Sequence, residues 1–101
     1  MHAYIIARVN IDDPDTFHRY EQAFAEAFQE YKAEVLVADD AVRVLEGQWP
    51  AMRTAVIRFE SEAEALRFYY SEKYQKALQI RLRAARVDLI LAKGFVADTP
   101  A

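Results

Sequence analysis

Ala3-Tyr4-Ile5-Ile6-Ala7-Arg8-Val9-Asn10-Ile11, followed at once by Asp12-Asp13-Pro14-Asp15, decides how the rest of the chain is read. The odd positions Ala3, Ile5, Ala7, Val9 and Ile11 are all apolar, whereas Tyr4, Ile6, Arg8 and Asn10 are mixed. A period of two over an Ile- and Val-rich run predicts a strand with one face in a core. Asp13 then suits a helix N-cap, Pro14 the first turn, and Asp15 the positive end of the helix. A strand therefore feeds a helix almost without a loop.

From Pro14 to about Lys32, Phe17, Tyr20, Phe24, Phe28 and Tyr31 fall at helical spacing, with Ala23 and Ala27 beside them. Glu21, Glu26 and Glu30 read as the solvated face. Glu34–Ala38 and Val42–Glu46 are two β-prone runs across Asp39-Asp40, which predicts a hairpin. Gly47–Met52 is a loop that carries Trp49-Pro50, and Thr54–Phe59 alternates as another strand. Ser61-Glu62-Ala63-Glu64 is a capping box opening a helix to about Tyr70. Ser71 is a second N-cap, so a break is expected there before Glu72–Arg86 continues as helix. Val87–Lys93 forms the last strand, closed by Gly94, and Phe95–Ala101 is a short tail. The order β-α-β-β-α-β with an extra β-hairpin arm predicts an α+β, ferredoxin-like split βαβ domain.

Residues 1–101 are expected to form one domain, with a core over about 3–95, since the mass is 11.7 kDa. A composition 53% hydrophobic and 29% charged, with two Gly and three Pro, excludes disorder and low complexity. The net charge of −3 removes the electrostatic case for nucleic acid. No apolar run reaches the ~18 residues of a membrane span, and the chain opens without a basic leader. The lack of Cys excludes disulfides and thiolate chemistry. His2 and His18 do not form a recognisable zinc or triad arrangement. A soluble, cytoplasmic protein with no cofactor is the expectation.

Sheet faces point to a partner. Ile5, Val9, Ile57, Phe59, Leu89 and Leu91 suit the face covered by helices, leaving Tyr4, Ile6, Arg8, Val56, Arg58, Asp88 and Ile90 on the other. That second face is too apolar for water and too charged for an ordinary core. A second sheet packed on it, with Arg8 or Arg58 paired to Asp88, resolves the conflict and predicts a homodimer. The alternative is that both arginines snorkel at a solvated face.

Arg81 stands in an apolar stripe with Tyr74, Leu78 and Ala85. Its fork could hold a carboxylate or enolate, with the Tyr74 hydroxyl adding a hydrogen bond. Equally, it could form a structural salt bridge to Glu46, Glu60 or Asp88. Of Tyr69 and Tyr70, one is expected inward and one outward. Trp49 is placed to cap a pocket or to cover a sheet edge. His18 reads as solvated. No phosphate loop, HExxH or GxSxG pattern is present.

Several of these stretches taken together carry a resemblance: Ile11-Asp12-Asp13-Pro14, Tyr20, Leu45-Glu46-Gly47-Gln48-Trp49, Val56–Ser61, Phe68-Tyr69-Tyr70-Ser71, Tyr74-Gln75, Arg81 and Gly94. Over about residues 3–95 the chain resembles the bacterial domain of unknown function 1330 family, a branch of the dimeric α+β barrel superfamily. It departs from that pattern in having Lys32-Ala33 for a Gly-Gly pair and Ser71-Glu72-Lys73-Tyr74 for Ser-Pro-Glu-Tyr. The second departure favours a more continuous helix through Ser71. The resemblance implies a fold and a dimer, with Glu46, Trp49, Tyr69, Ser71, Tyr74 and Arg81 as a substrate-binding set. Superfamily relatives include cofactor-free monooxygenases and muconolactone-type isomerases. The expectation is a small-molecule-binding protein, either a cofactor-independent enzyme acting on an oxygen-rich or aromatic acid, or a non-catalytic binding or structural module.

Overall fold

In a computed structural model, which describes residues 1–95, the chain runs β1 (Ala3–Ile11), α1 (Pro14–Phe28), β2 (Ala33–Asp39), β3 (Arg53–Phe59), α2 (Glu62–Tyr69), α3 (Glu72–Ala84) and β4 (Ala85–Lys93). The tail expected beyond Phe95 lies outside the described residues. The strands form one antiparallel sheet in the order β2-β3-β1-β4. This is the ferredoxin-like arrangement that the element order predicts.

Capping residues set the helix boundaries. Asp13 accepts from the Thr16 amide at 3.2 Å, with Pro14 opening α1. Ser61 accepts from the Glu64 amide at 3.0 Å and so starts α2. At the break between α2 and α3 the Ser71 hydroxyl works twice: it donates to the Phe68 carbonyl at 2.7 Å and accepts from the Tyr74 amide at 3.2 Å. The helical segment is thus broken at Ser71 even without the proline. Because Ser71 closes one helix and opens the next, Ser71→Ala should lower stability by about 1 kcal/mol, read as a shifted denaturation midpoint.

The odd residues of β1 face the helices, and Ala3, Ile5, Ala7 and Val9 are buried there with Ile57 and Phe59. Phe68 sits at the centre of the core, with its ring against Phe24, Phe28, Tyr31, Phe59 and Tyr74. At the other end Phe17 packs with Ala7, Val9 and Ala84. The Asp12 and Asp13 amides both donate to the Ala84 carbonyl, tying the β1–α1 turn to the end of α3.

Three expectations need correction. The helix expected to reach Arg86 ends at Ala84, and β4 begins at Ala85 instead of Val87, because the Ala84 carbonyl is taken by the Asp12 and Asp13 amides and Ala85 is already extended. The helix from Pro14 ends at Phe28 instead of Lys32, because the chain must turn before β2 begins at Ala33. The expected hairpin does not form either: β2 pairs directly with β3, from Ala33↔Phe59 to Asp39↔Thr54, and Val42–Glu46 is not a strand. The Asp39 carboxylate accepts from the Ala41 amide at 2.8 Å and the Asp40 carboxylate is taken by Arg53, so the chain turns away from β2. β-Branched composition alone gives that run no face to bury, and Leu45 is 86% exposed.

An irregularity between Val35 and Val37 adds one residue to β2. Val35 pairs with Ile57 and Ala38 with Ala55, so both reach the helix side although they are an odd number of residues apart. Among the described residues, no helix is long and apolar enough to cross a membrane.

Candidate functional site: a cavity between the helices and the sheet

A cavity of about 230 Å³ lies between the helix layer and the sheet. Its walls are overwhelmingly apolar, with Phe17 and Phe24 from α1, Ile57 from β3, Leu89 from β4, and Val35 from β2. Arg81, Tyr74, Tyr69 and Tyr20 also line it.

Arg81 is the unusual member. It is only 8% exposed, and its Nε has no hydrogen-bond partner. No carboxylate among the described residues pairs with it: Asp88 is engaged by Arg8, and Glu60 lies by Lys32. The structural salt bridge to Glu46, Glu60 or Asp88 is therefore not formed within the chain. The guanidinium instead lies over the Tyr20 ring, 5.8 Å from its centroid. A buried N–H without an acceptor is costly, and Arg81 Nε is in that position.

Tyr74 is 2% exposed, and its hydroxyl lies 3.2 Å from that of Tyr20. Burial pushes the Tyr20 hydroxyl well above its ordinary titration range, and the neighbouring Tyr74 adds to the rise; the Arg81 charge opposes it. Tyr20 is thus a neutral donor at physiological pH. Tyr69 turns toward the cavity while Tyr70 is exposed, as two adjacent helical tyrosines should be.

At the cavity mouth Arg53 joins α1 to the end of β2. It donates to Glu21 at 2.9 Å and to both Asp40 oxygens, and its guanidinium lies over the Phe17 ring. The Asp40 hydrogen bonds, then those of Glu21, raise the Arg53 pKa, and Asp40 is held below the usual carboxylate range by the same contact. Glu21 is therefore more than a solvated helix charge.

The remaining candidates lie elsewhere. Ser71 is occupied by the α2–α3 break. Glu46 and Trp49 line a separate shallow groove along the 42–49 connection, ending at Thr54. The Trp49 indole donates to the Thr54 hydroxyl at 2.7 Å, and Arg8 lies over its ring at 5.4 Å. Arg8 and Asp88 are cross-strand partners joined at 3.1 Å, and Arg58 is paired with Glu34 across β3 and β2. Arg8, Arg58 and Asp88 thus share the sheet face away from the helices, around Ile6, Val56 and a 58% exposed Ile90. His18 is solvated beside Glu21.

Tyr20, Arg53 and Glu21 were not legible as site residues. Tyr20 belongs to the α1 aromatic stripe, and its distinguishing feature, a hydroxyl facing Tyr74, arises only when α1 packs on α3. Among the described residues, no group of His, Asp or Glu side chains is placed to hold a metal ion.

Comparisons with known proteins fit this architecture. The profile of a family described as a domain of unknown function (DUF1330) matches residues 2–95. Among curated proteins, none matches. A protein of unknown function from Rhodopseudomonas palustris superposes with a TM-score of 0.78 at 14% identity, covering 94% of this chain and 83% of its own. SnoaB, a cofactor-independent oxygenase from Streptomyces nogalater, gives a TM-score of 0.62 at 8% identity, covering 98% of both chains. A dimeric ferredoxin-like protein of unknown function from Thermobifida fusca gives 0.62 at 15%, covering 90% of this chain and 89% of its own. At these identities the likeness is one of fold.

Proposed function

The chain belongs to the DUF1330 family, whose function is unknown, and we propose that it is a homodimeric binder of a small organic anion held in the inter-layer cavity. The observation that carries this is Arg81, buried on the cavity wall with an unpartnered Nε and no carboxylate beside it. A carboxylate or enolate would satisfy its fork in a low-dielectric site, where the interaction is strong. Apolar walls would take the body of the ligand, with a few polar groups fixing its orientation. Mass spectrometry of the native protein should detect a co-purifying small acid that is lost in Arg81→Lys, because lysine keeps the charge without the planar fork. A cavity that co-purifies empty or with a ligand indifferent to that substitution overturns the reading.

Turnover is a second reading, favoured by the Tyr20–Tyr74 hydroxyl pair in the same cavity. Arg81 would stabilise an enolate and Tyr74 would position or donate a proton, in isomerase- or oxygenase-like chemistry that needs no cofactor. Without that chemistry, the same residues make a binding module. In this reading Ser71 serves the α2–α3 break and Trp49 the contact with Thr54, while Glu46 lies on the separate groove.

The dimer is proposed through the sheet face of Arg8, Arg58 and Asp88. Its centre of Ile6, Val56 and Ile90 is flanked by ion pairs that leave each charge compensated, which suits burial against a second copy. A cytoplasmic setting suits a chain without cysteine. Light scattering at micromolar concentration should give roughly twice 11.7 kDa. A monomer at that concentration refutes the shared face.

A further inference from the structure

We infer that the cavity is a donors-only site that selects the deprotonated form of a benzoate-sized monocarboxylic acid, with the Tyr20 hydroxyl as the second contact to its oxygens. This rests on the proposed reading of the cavity as a ligand site and adds which chemistry it accepts and which it refuses.

A count of protons carries the inference. The Tyr20 and Tyr74 hydroxyls are 3.2 Å apart and make no other hydrogen bond among the described residues. Each hydroxyl has one proton, and only one proton can lie between the two oxygens. The other proton has no acceptor. The Nε–H of Arg81 has none either. The carboxylate that touches the cavity, Glu21, is at the mouth and already bound by Arg53. The interior therefore presents two unmatched donors and no free carboxylate, its remaining acceptors being the weak phenol oxygens.

Tyr20 is the ligand-facing member of the pair. Its ring lies directly under the Arg81 guanidinium, whereas Tyr74 is almost fully enclosed by Phe24, Phe68 and Tyr69. The proton chain then runs from Tyr74 to Tyr20 and from Tyr20 to the ligand. Because burial keeps Tyr20 protonated, it can donate and will not repel an anion. A carboxylate has two oxygens and about four lone-pair sites, enough for the guanidinium edge and a phenol proton together. A neutral alcohol offers one oxygen and brings its own proton, and an ammonium group offers only donors.

Size sets the body of the acid. An apolar cavity of about 150 Å³ is enough to bind benzene. The present cavity of about 230 Å³ has room for one ring with its carboxylate, set against Phe17, Phe24 and Val35.

Calorimetric titration of the intact protein with benzoate, benzyl alcohol and benzylamine separates the possibilities, since the three share a ring and differ in the polar group. Benzoate should bind, benzyl alcohol should bind at least tenfold more weakly, and benzylamine should give no heat of binding. Tyr20→Phe, checked for an unchanged melting temperature, should weaken benzoate about tenfold and leave benzyl alcohol within twofold. If benzyl alcohol binds as tightly as benzoate, the donors-only inference is overturned while the cavity stands as a ligand site. If benzoate binds equally to Tyr20→Phe, the role of Tyr20 is overturned. If none of the three binds, the inference fails; a co-purifying acid dependent on Arg81 would then keep the broader reading alive, and its absence would sink both. Should Tyr20→Phe fail to fold, the three-probe comparison on the unaltered chain still decides the selectivity.

Discussion

Phe68→Ala should cost about 3–5 kcal/mol, the largest loss expected from any single truncation in this chain. Phe68 is one of the two largest fully buried side chains, with Phe59. Its position explains the size of the effect. It lies on α2 yet touches rings from α1, the turn after α1, β3 and α3, namely Phe24, Phe28, Tyr31, Phe59 and Tyr74. Truncation removes the ring from water-excluded packing and leaves a cavity bounded by side chains that belong to four separate segments. Those segments are tied by the sheet register and by the Ser61 and Ser71 caps, so they cannot all move inward to fill it. Domains of this size have net stabilities of only about 5–15 kcal/mol, and each kcal/mol moves the melting temperature by roughly 4–8 °C. The midpoint in thermal or urea denaturation should therefore fall by at least about 12 °C or the equivalent in denaturant. A loss below about 1 kcal/mol would mean that the aromatic cluster is loosely packed and that Phe68 is not its centre.

The sequence pattern carried the fold because its signals were local and mutually consistent. The alternation of Ala3–Ile11 fixed a strand with the same bounds that it has in the structure, and Asp13, Ser61 and Ser71 marked three helix starts by a chemistry that operates within three residues. Val42–Glu46 shows where local signals stop. Its β-propensity is real, but a strand needs a face to bury and an edge to pair with, and both depend on where Asp39, Asp40 and Arg53 turn the chain. The cavity divides along the same line. Tyr74 and Arg81 are seven residues apart on one helix, so their common face was readable from periodicity alone. Tyr20 and Arg53 reach the cavity from α1 and β3, and only the packing of those elements puts Tyr20 under Arg81 and Arg53 at the mouth. Trp49 and Glu46 are carried away from it by a connection whose path has no periodic signature.

Arg81→Met should stabilise the ligand-free protein by about 1–3 kcal/mol and abolish capture of the acid. The direction follows from what Arg81 lacks. Breaking a buried ion pair leaves a charge stranded and costs several kcal/mol, but among the described residues there is no partner to strand. The Nε edge of the guanidinium has lost its water without gaining a partner, and the group recovers only the contact with the Tyr20 ring, at 5.8 Å. Methionine retains most of the apolar stem and adapts to irregular gaps, so the substitution removes the desolvation cost while keeping the packing. Arg81→Lys is the counterpart: it keeps a cation in the same apolar wall, gains no such relief, and lacks the fork that grips a carboxylate. Adding a saturating acid should raise the melting temperature of the unaltered chain and leave that of Arg81→Met where it was, since a ligand stabilises only the state that binds it. Stability and binding would then move in opposite directions at one residue, the usual mark of a group retained for function at a cost to the fold. The measurement is a pair of melting curves, with and without benzoate, for the unaltered chain and the two variants. A fall of several degrees in ligand-free Arg81→Met would show that Arg81 already has a counter-ion in solution, supplied across the dimer, and would reassign it from ligand binding to assembly.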